Sequence, residues 1–212
     1  MTKKHSNHFP AVSRFLFPVF YLGFKGTILS RLTLYWTILM SDLYVTWSEY
    51  HKKIELLAVK IYQANWEFNQ IVCIAKGGLR VGDILCRIYD KPLAILSASS
   101  YGGSQNRVRG DITFSHHLTM TTETLGNRVL LVDDLVDSGI SLRESMNWLE
   151  EGYGNELEEI RTAVLWYKAH SLITPDYYVD YLPDNPWIHQ PFEPYEQISP
   201  NELAASYLVK EA

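Results

Sequence analysis

Apolar positions change period along the chain, and each change marks an element. Thr46-Trp47-Ser48-Glu49 has the form of a capping box. Tyr50, Ile54, Leu57 and Ile61 then recur at helical spacing, predicting an amphipathic helix to about Ala64. Ile71–Ala75 (IVCIA) is short and wholly apolar, as in a strand buried on both faces. Lys76-Gly77-Gly78 breaks it, and Leu79–Tyr89 returns to helical spacing. Leu93–Ser97 reads as a strand, and Ser99–Asp111 (SSYGGSQNRVRGD) as a polar, glycine-rich loop. Arg128–Val132 (RVLLV) is a further buried strand. It leads into Asp133–Ser141 and a helix through Glu150. Ile160–Tyr167 is a fourth strand. From Thr174 the chain is rich in proline and reads as mostly irregular.

Strands alternating with helices predict an α/β fold, a parallel twisted sheet flanked by helices. Ligands on such sheets bind beyond the carboxyl ends of the strands. Three exits therefore matter: Lys76-Gly77-Gly78, Asp133–Ser141 and Lys168.

The first forty residues differ from the rest. They hold Lys3, Lys4, Arg14, Lys25 and Arg31, no Asp or Glu, and two apolar runs too short to span a bilayer. Two readings stand: a targeting segment, or upstream sequence read through from an earlier start. The expected organisation is an extension over 1–40, a domain over 41–198 and a tail over 199–212. The whole chain carries a net charge of −5, but its acid-free start conceals a more acidic remainder, with 14 basic and 24 acidic residues. That balance disfavours nucleic acid as a partner. The two cysteines, Cys73 and Cys86, sit in apolar runs and can form neither a disulfide framework nor a thiolate zinc site.

The chemistry concentrates in VLLVDDLVDSGIS, residues 129–141. A glycine-containing turn with hydroxyls at a helix start offers N–H and O–H donors to a phosphate monoester. Carboxylates upstream suit sugar hydroxyls, a hard cation or a proton in flight. The turn thus fits a sugar phosphate. Acidic residues also serve as ordinary helix caps, but three of them before S-G-x-S form a more specific pattern. No Walker A or dinucleotide fingerprint occurs. His116-His117 lacks ligand spacing to any acidic or thiol cluster.

This segment resembles the PRPP (5-phosphoribosyl-1-diphosphate) signature of the type I phosphoribosyltransferases. The chain from about 44 to 195 looks most like the xanthine-guanine enzymes. Tyr44–Trp47, Ala75–Gly82 (AKGGLRVG), Ser99-Ser100-Tyr101, Tyr167-Lys168 and Trp187–Pro191 (WIHQP) fall in that family's order. The resemblance implies a mobile loop and a small proline-rich C-terminal hood. It also implies that Ser138, Gly139, Ile140 and Ser141 cradle the 5′-phosphate. Asp133 and Asp134 would address the ribose hydroxyls, with Asp134 reaching Mg²⁺, and Asp137 would take the proton of the base.

By the same resemblance Lys76, Gly77 and Gly78 form the diphosphate loop, with a cis peptide before the first glycine. Lys76 stands where arginine is common, which keeps the charge but not the bidentate fork. Arg107, with Arg109 as a substitute, would meet diphosphate. Lys168 would donate to the exocyclic oxygen of a 6-oxopurine, Trp187 would stack on the base, and backbone groups of Ile188 would meet its edge. Glu193 is a candidate to assist the metal. His189 replaces a residue that is often acidic. The implied protein is a Mg²⁺-dependent cytoplasmic enzyme of purine salvage, without stable membrane insertion, that assembles as a homodimer or homotetramer. Alternatives are a PRPP-binding regulator of the same fold and a transferase for another base.

Overall fold

In the computed structural model, which describes residues 42–100 and 112–208, the apolar runs become neighbouring strands. The elements are β1 (Leu43–Tyr44), α1 (Trp47–Gln63), β2 (Gln70–Ala75), α2 (Gly78–Tyr89), β3 (Leu93–Ser100) and β4 (Ile112–Phe114). They continue with β5 (Arg128–Val132), β6 (Leu135–Val136), α3 (Ile140–Tyr153), β7 (Glu159–Lys168) and β8 (Tyr177–Leu182). β9 (Ile188–His189), a 3-10 turn (Glu193–Glu196) and α4 (Pro200–Leu208) complete the series.

Across the main sheet the order is β4-β3-β2-β5-β7-β8. β6 keeps the register of β5 along β7, so the chain from Arg128 to Val136 follows one edge of that strand. All pairs are parallel except β3 with β4.

Alternate residues of the central strands point to opposite faces, and both faces are covered. Ile71, Leu130, Val132 and Leu165 pack with Tyr50, Ile54, Leu57 and Ile61 of α1 and Val81 and Leu85 of α2. Val72, Ile74, Leu131 and Val164 pack with Leu142 and Leu149 of α3. Each fully buried aliphatic side chain contributes roughly 1.5–3 kcal/mol of transfer free energy. This two-sided burial explains why the strands read as continuous apolar runs.

Two expectations change, and one pairing was not foreseen. Ser99 and Ser100 extend β3 and pair antiparallel with β4, so strand continues where a loop was expected. The region after Thr174 is not mostly irregular, because β8 joins the main sheet and α4 is a helix. β9 pairs with β1 in a separate two-stranded parallel sheet. The 1–40 extension lies outside the described residues.

Candidate active site

β2 and β5 are hydrogen-bonded neighbours, so their carboxyl ends deliver Lys76-Gly77-Gly78 and Asp133-Asp134 to one place. A Cβ on Gly77 would overlap the Asp134 carboxylate and come 2.9 Å from Asp133 Oδ1. One on Gly78 would overlap the Val132 carbonyl. Glycine is what permits the approach. The cis peptide bond is Ala75–Lys76, one bond ahead of the expected position.

The helices that start here are open at their amino ends. α1 is closed by its capping box, in which the Glu49 N–H donates to Thr46 Oγ1 (3.2 Å) and the Thr46 N–H to Glu49 Oε2 (2.8 Å). α2 follows Gly77 and α3 follows Gly139, and neither has a side-chain cap. The Leu79 N–H donates to the Lys76 carbonyl (3.2 Å) and the Ile140 N–H weakly to Ser138 Oγ (3.4 Å), and the remaining first-turn N–H groups are the ones an anion could meet. Gly139 has φ +81°, a conformation other residues adopt at a cost. The turn it makes is held by the Leu172 N–H, which donates to the Ser138 carbonyl (2.9 Å).

Between the two openings sits the acidic pair. Asp134 is buried. Burial pushes both carboxyls above the usual carboxylate range, and for Asp133 the charge of Asp134 adds to the shift. Gln190 Nε2 donates to Asp134 Oδ2 (2.7 Å) and works in the opposite direction. Gln190 Oε1 is buried and lacks a hydrogen-bond partner among the described residues. A cavity of about 180 Å³ is lined by Lys76, Gly77, Asp133, Asp134 and Ser141, among others. A larger cleft of about 590 Å³, lined by Trp66, Phe68, Tyr89 and Arg128, opens at the amino ends of the strands. It lies away from every group described here.

Next along the strand exits is a charged cluster. Lys168 closes β7 and is only 4% exposed. Its Nζ lies 3.3 Å from Asp137 Oδ1. His170 Nε2 lies 2.8 Å from the same oxygen, and His170 Nδ1 is 2.7 Å from Asn185 Oδ1. Sequence reasoning named Asp137 and Lys168 and missed His170. The available signal was its place two residues beyond Lys168 at a strand exit.

The β1–β9 ladder carries the remaining residues. The Leu43 N–H donates to the Trp187 carbonyl (2.8 Å) and the Val45 N–H to the His189 carbonyl (3.0 Å). Alternation along the ladder turns the N–H and C=O of Ile188 away from β1, while its side chain is buried. Trp187 is 59% exposed, and its Nε1 donates to Glu193 Oε1 (3.2 Å). His189 stacks on Tyr44 and places its ring nitrogens 2.8 Å from Glu193 Oε2 and 3.1 Å from Asp42 Oδ2. Those carboxylates raise the His189 pKa. Both Glu193 oxygens are engaged, which leaves that carboxylate a tie within the ladder. Arg107 and Arg109 lie outside the described residues.

Among the described residues no group of three or more His, Cys, Asp or Glu could cage a metal. A cation that keeps waters and substrate oxygens needs less. The adjacent carboxylates of half-buried Asp133 and buried Asp134, with the unpartnered Gln190 Oε1, suit such a cation and sugar hydroxyls alike.

The arrangement has the chemistry to meet a phosphorylated, hydroxyl-bearing ligand. Comparison with known proteins agrees. Residues 46–197 match the family described as "Phosphoribosyl transferase domain". The chain is 28% identical over 154 residues to the xanthine-guanine phosphoribosyltransferase of Gluconobacter oxydans, covering 70% of this chain and 83% of that protein. To the hypoxanthine/guanine phosphoribosyltransferase of Methanopyrus kandleri it is 29% identical over 105 residues, or 46% and 53% of the two chains. The crystal structure of a purine phosphoribosyltransferase from Pyrococcus horikoshii superposes with TM-score 0.58 at 27% identity, over 72% of this chain and 95% of that one. This chain belongs to the phosphoribosyltransferase family.

Proposed function

We propose that the protein is a purine phosphoribosyltransferase that joins the 5-phosphoribosyl group of PRPP to a 6-oxopurine, releasing diphosphate and a nucleoside 5′-monophosphate. One observation carries this reading. The amino ends of α2 and α3 flank the half-buried Asp133 and the buried Asp134, with Lys168 and Asp137 at the neighbouring exit. The α3 turn binds the 5′-phosphate, and the α2 end with Lys76 binds diphosphate. Asp133 and Asp134 hold the ribose hydroxyls. In their ionised form they also favour the positive charge that develops at C1 as the bond to diphosphate breaks. A base nitrogen forms the new bond to C1, and Asp137 accepts the proton that the base gives up. Lys168 donates to an exocyclic oxygen, which the amino group of adenine does not replace.

Mg²⁺ fits beside Asp134, where it would neutralise leaving-group charge. No described helix is long and apolar enough to cross a membrane. A homodimer or homotetramer in the cytoplasm is part of the same reading. The test is an absorbance assay with PRPP, Mg²⁺ and guanine, xanthine, hypoxanthine, adenine or uracil. Nucleotide should form from the oxopurines alone. Absence of product from every base, or a preference for adenine, would overturn the proposal.

A further inference from the structure

We infer that His170 is a positioning residue that holds Asp137 in its proton-accepting orientation after Lys168 turns to the base. The inference rests on the transferase reading above and adds a residue to it.

Asp137 is half exposed, with side-chain exposure of 50%, and sits on a turn before α3. A carboxylate in that setting rotates freely unless it is tied. Two side-chain nitrogens converge on one of its oxygens as ion pairs. Lys168 Nζ is 3.3 Å from Oδ1 and His170 Nε2 is 2.8 Å from it. Among the described residues no ion pair or hydrogen bond reaches Oδ2, the oxygen left to face the base. An ammonium has three N–H donors, but a turn of Lys168 toward the exocyclic oxygen lengthens a contact with Asp137 that is already 3.3 Å. The shorter contact is then the one that remains.

His170 is itself held on two sides. Its backbone turn is fixed by the Ala169 N–H, which donates to the Leu182 carbonyl (3.1 Å), and by the Ser171 N–H, which donates to the Lys168 carbonyl (3.1 Å). The Leu172 N–H bonds the same turn to Ser138, so the histidine and the phosphate-binding turn move together. Its Nδ1 meets the Asn185 side chain at 2.7 Å. Asn185 has φ +51° and lies in the turn after β8. The ring is thereby oriented with Nε2 toward the carboxylate. Asp137 Oδ1 and Asn185 Oδ1 are both acceptors, so each ring nitrogen meets its partner as an N–H donor. The charged or polar groups that meet this imidazole are Asp137 from the α3 turn and Asn185 from the β8 turn, with Lys168 on the same Asp137 oxygen.

The experiment compares His170→Ala and His170→Gln with the unmodified protein. Glutamine retains an N–H donor near the reach of Nε2. Single-turnover formation of nucleotide from hypoxanthine is measured under saturating PRPP, together with the KM for PRPP and the melting temperature. For His170→Ala the single-turnover rate should fall about ten- to hundredfold, the scale of a misaligned reacting group. Its KM for PRPP and melting temperature should stay put, and His170→Gln should recover most of the rate. An unchanged rate in His170→Ala overturns the inference. So does a loss that glutamine fails to rescue, or one that tracks a lower melting temperature. If the unmodified protein makes no nucleotide, the transferase reading itself has failed. Any of the other three results leaves that reading intact.

Discussion

Lys168 gives the sharpest separation of function from stability. It is 4% exposed, and the partner of its ammonium is Asp137, whose side chain is 50% exposed. Replacing it with Met keeps the length of the stem and removes the charge. On the functional side, a hydrogen bond from a charged donor to the exocyclic oxygen is lost. Such bonds contribute about 1.5–3 kcal/mol, so kcat/KM for hypoxanthine or guanine should fall about 10- to 150-fold. On the stability side the sign is reversed. Removing a buried ion and filling its place with an apolar side chain of similar volume is often neutral or stabilising, by up to about 4 kcal/mol. Asp137 is not stranded by the change, because solvent and His170 still reach it. The melting temperature should therefore hold or rise while oxopurine turnover drops. Absorbance assays across the bases and a thermal melt read the two effects in parallel. Unchanged kcat/KM for oxopurines would refute the role given to the ammonium. A large fall in melting temperature would refute the energetic argument.

Asp137→Asn should lower the single-turnover rate by about 10²–10⁴-fold while PRPP affinity by calorimetry stays the same. Gly139→Ala places a Cβ 2.5 Å from Ser171 Oγ and 2.7 Å from Ile173 Cγ2 at φ +81°. It should cost about 2–4 kcal/mol in urea unfolding. The folded His189 pKa is raised by Asp42 and Glu193. The stabilisation it gives is therefore complete below its unfolded pKa and lost as pH rises through the folded one. The difference in melting temperature between the unmodified protein and His189→Ala should shrink steadily from about pH 6 upward; a gap that widened with pH would reverse the assignment.

The buried strands and the turn at 133–141 were legible because their signals are local. Apolar β-branched runs mark β2 and β5, and the acidic-then-hydroxyl pattern marks the phosphate turn. β8 escaped notice because Pro175 and Pro183 bracket it and most of its residues are only half-buried, as befits an edge. Contacts between distant positions were not legible at all. Gln190 reaches Asp134 across 56 positions, and nothing in WIHQP announces that contact. His170 was hidden for a different reason. A lone histidine in a turn has no pattern, and its meaning comes only from Asp137 and Asn185 on two other turns.

The β1–β9 ladder also sets an order of assembly. Asp42 and His189, which it brings together, are 147 positions apart. Pairings of such long sequence separation carry a high loop-closure cost and are the slow ones to form. The sheet can place Asp133 and Asp134 while the ladder is still open. Gln190 meets Asp134 only once the far end of the domain has folded back. A chain emerging from the ribosome thus assembles the strand exits at Asp133–Asp134, Asp137 and Lys168 before the segment around Gln190 closes over them.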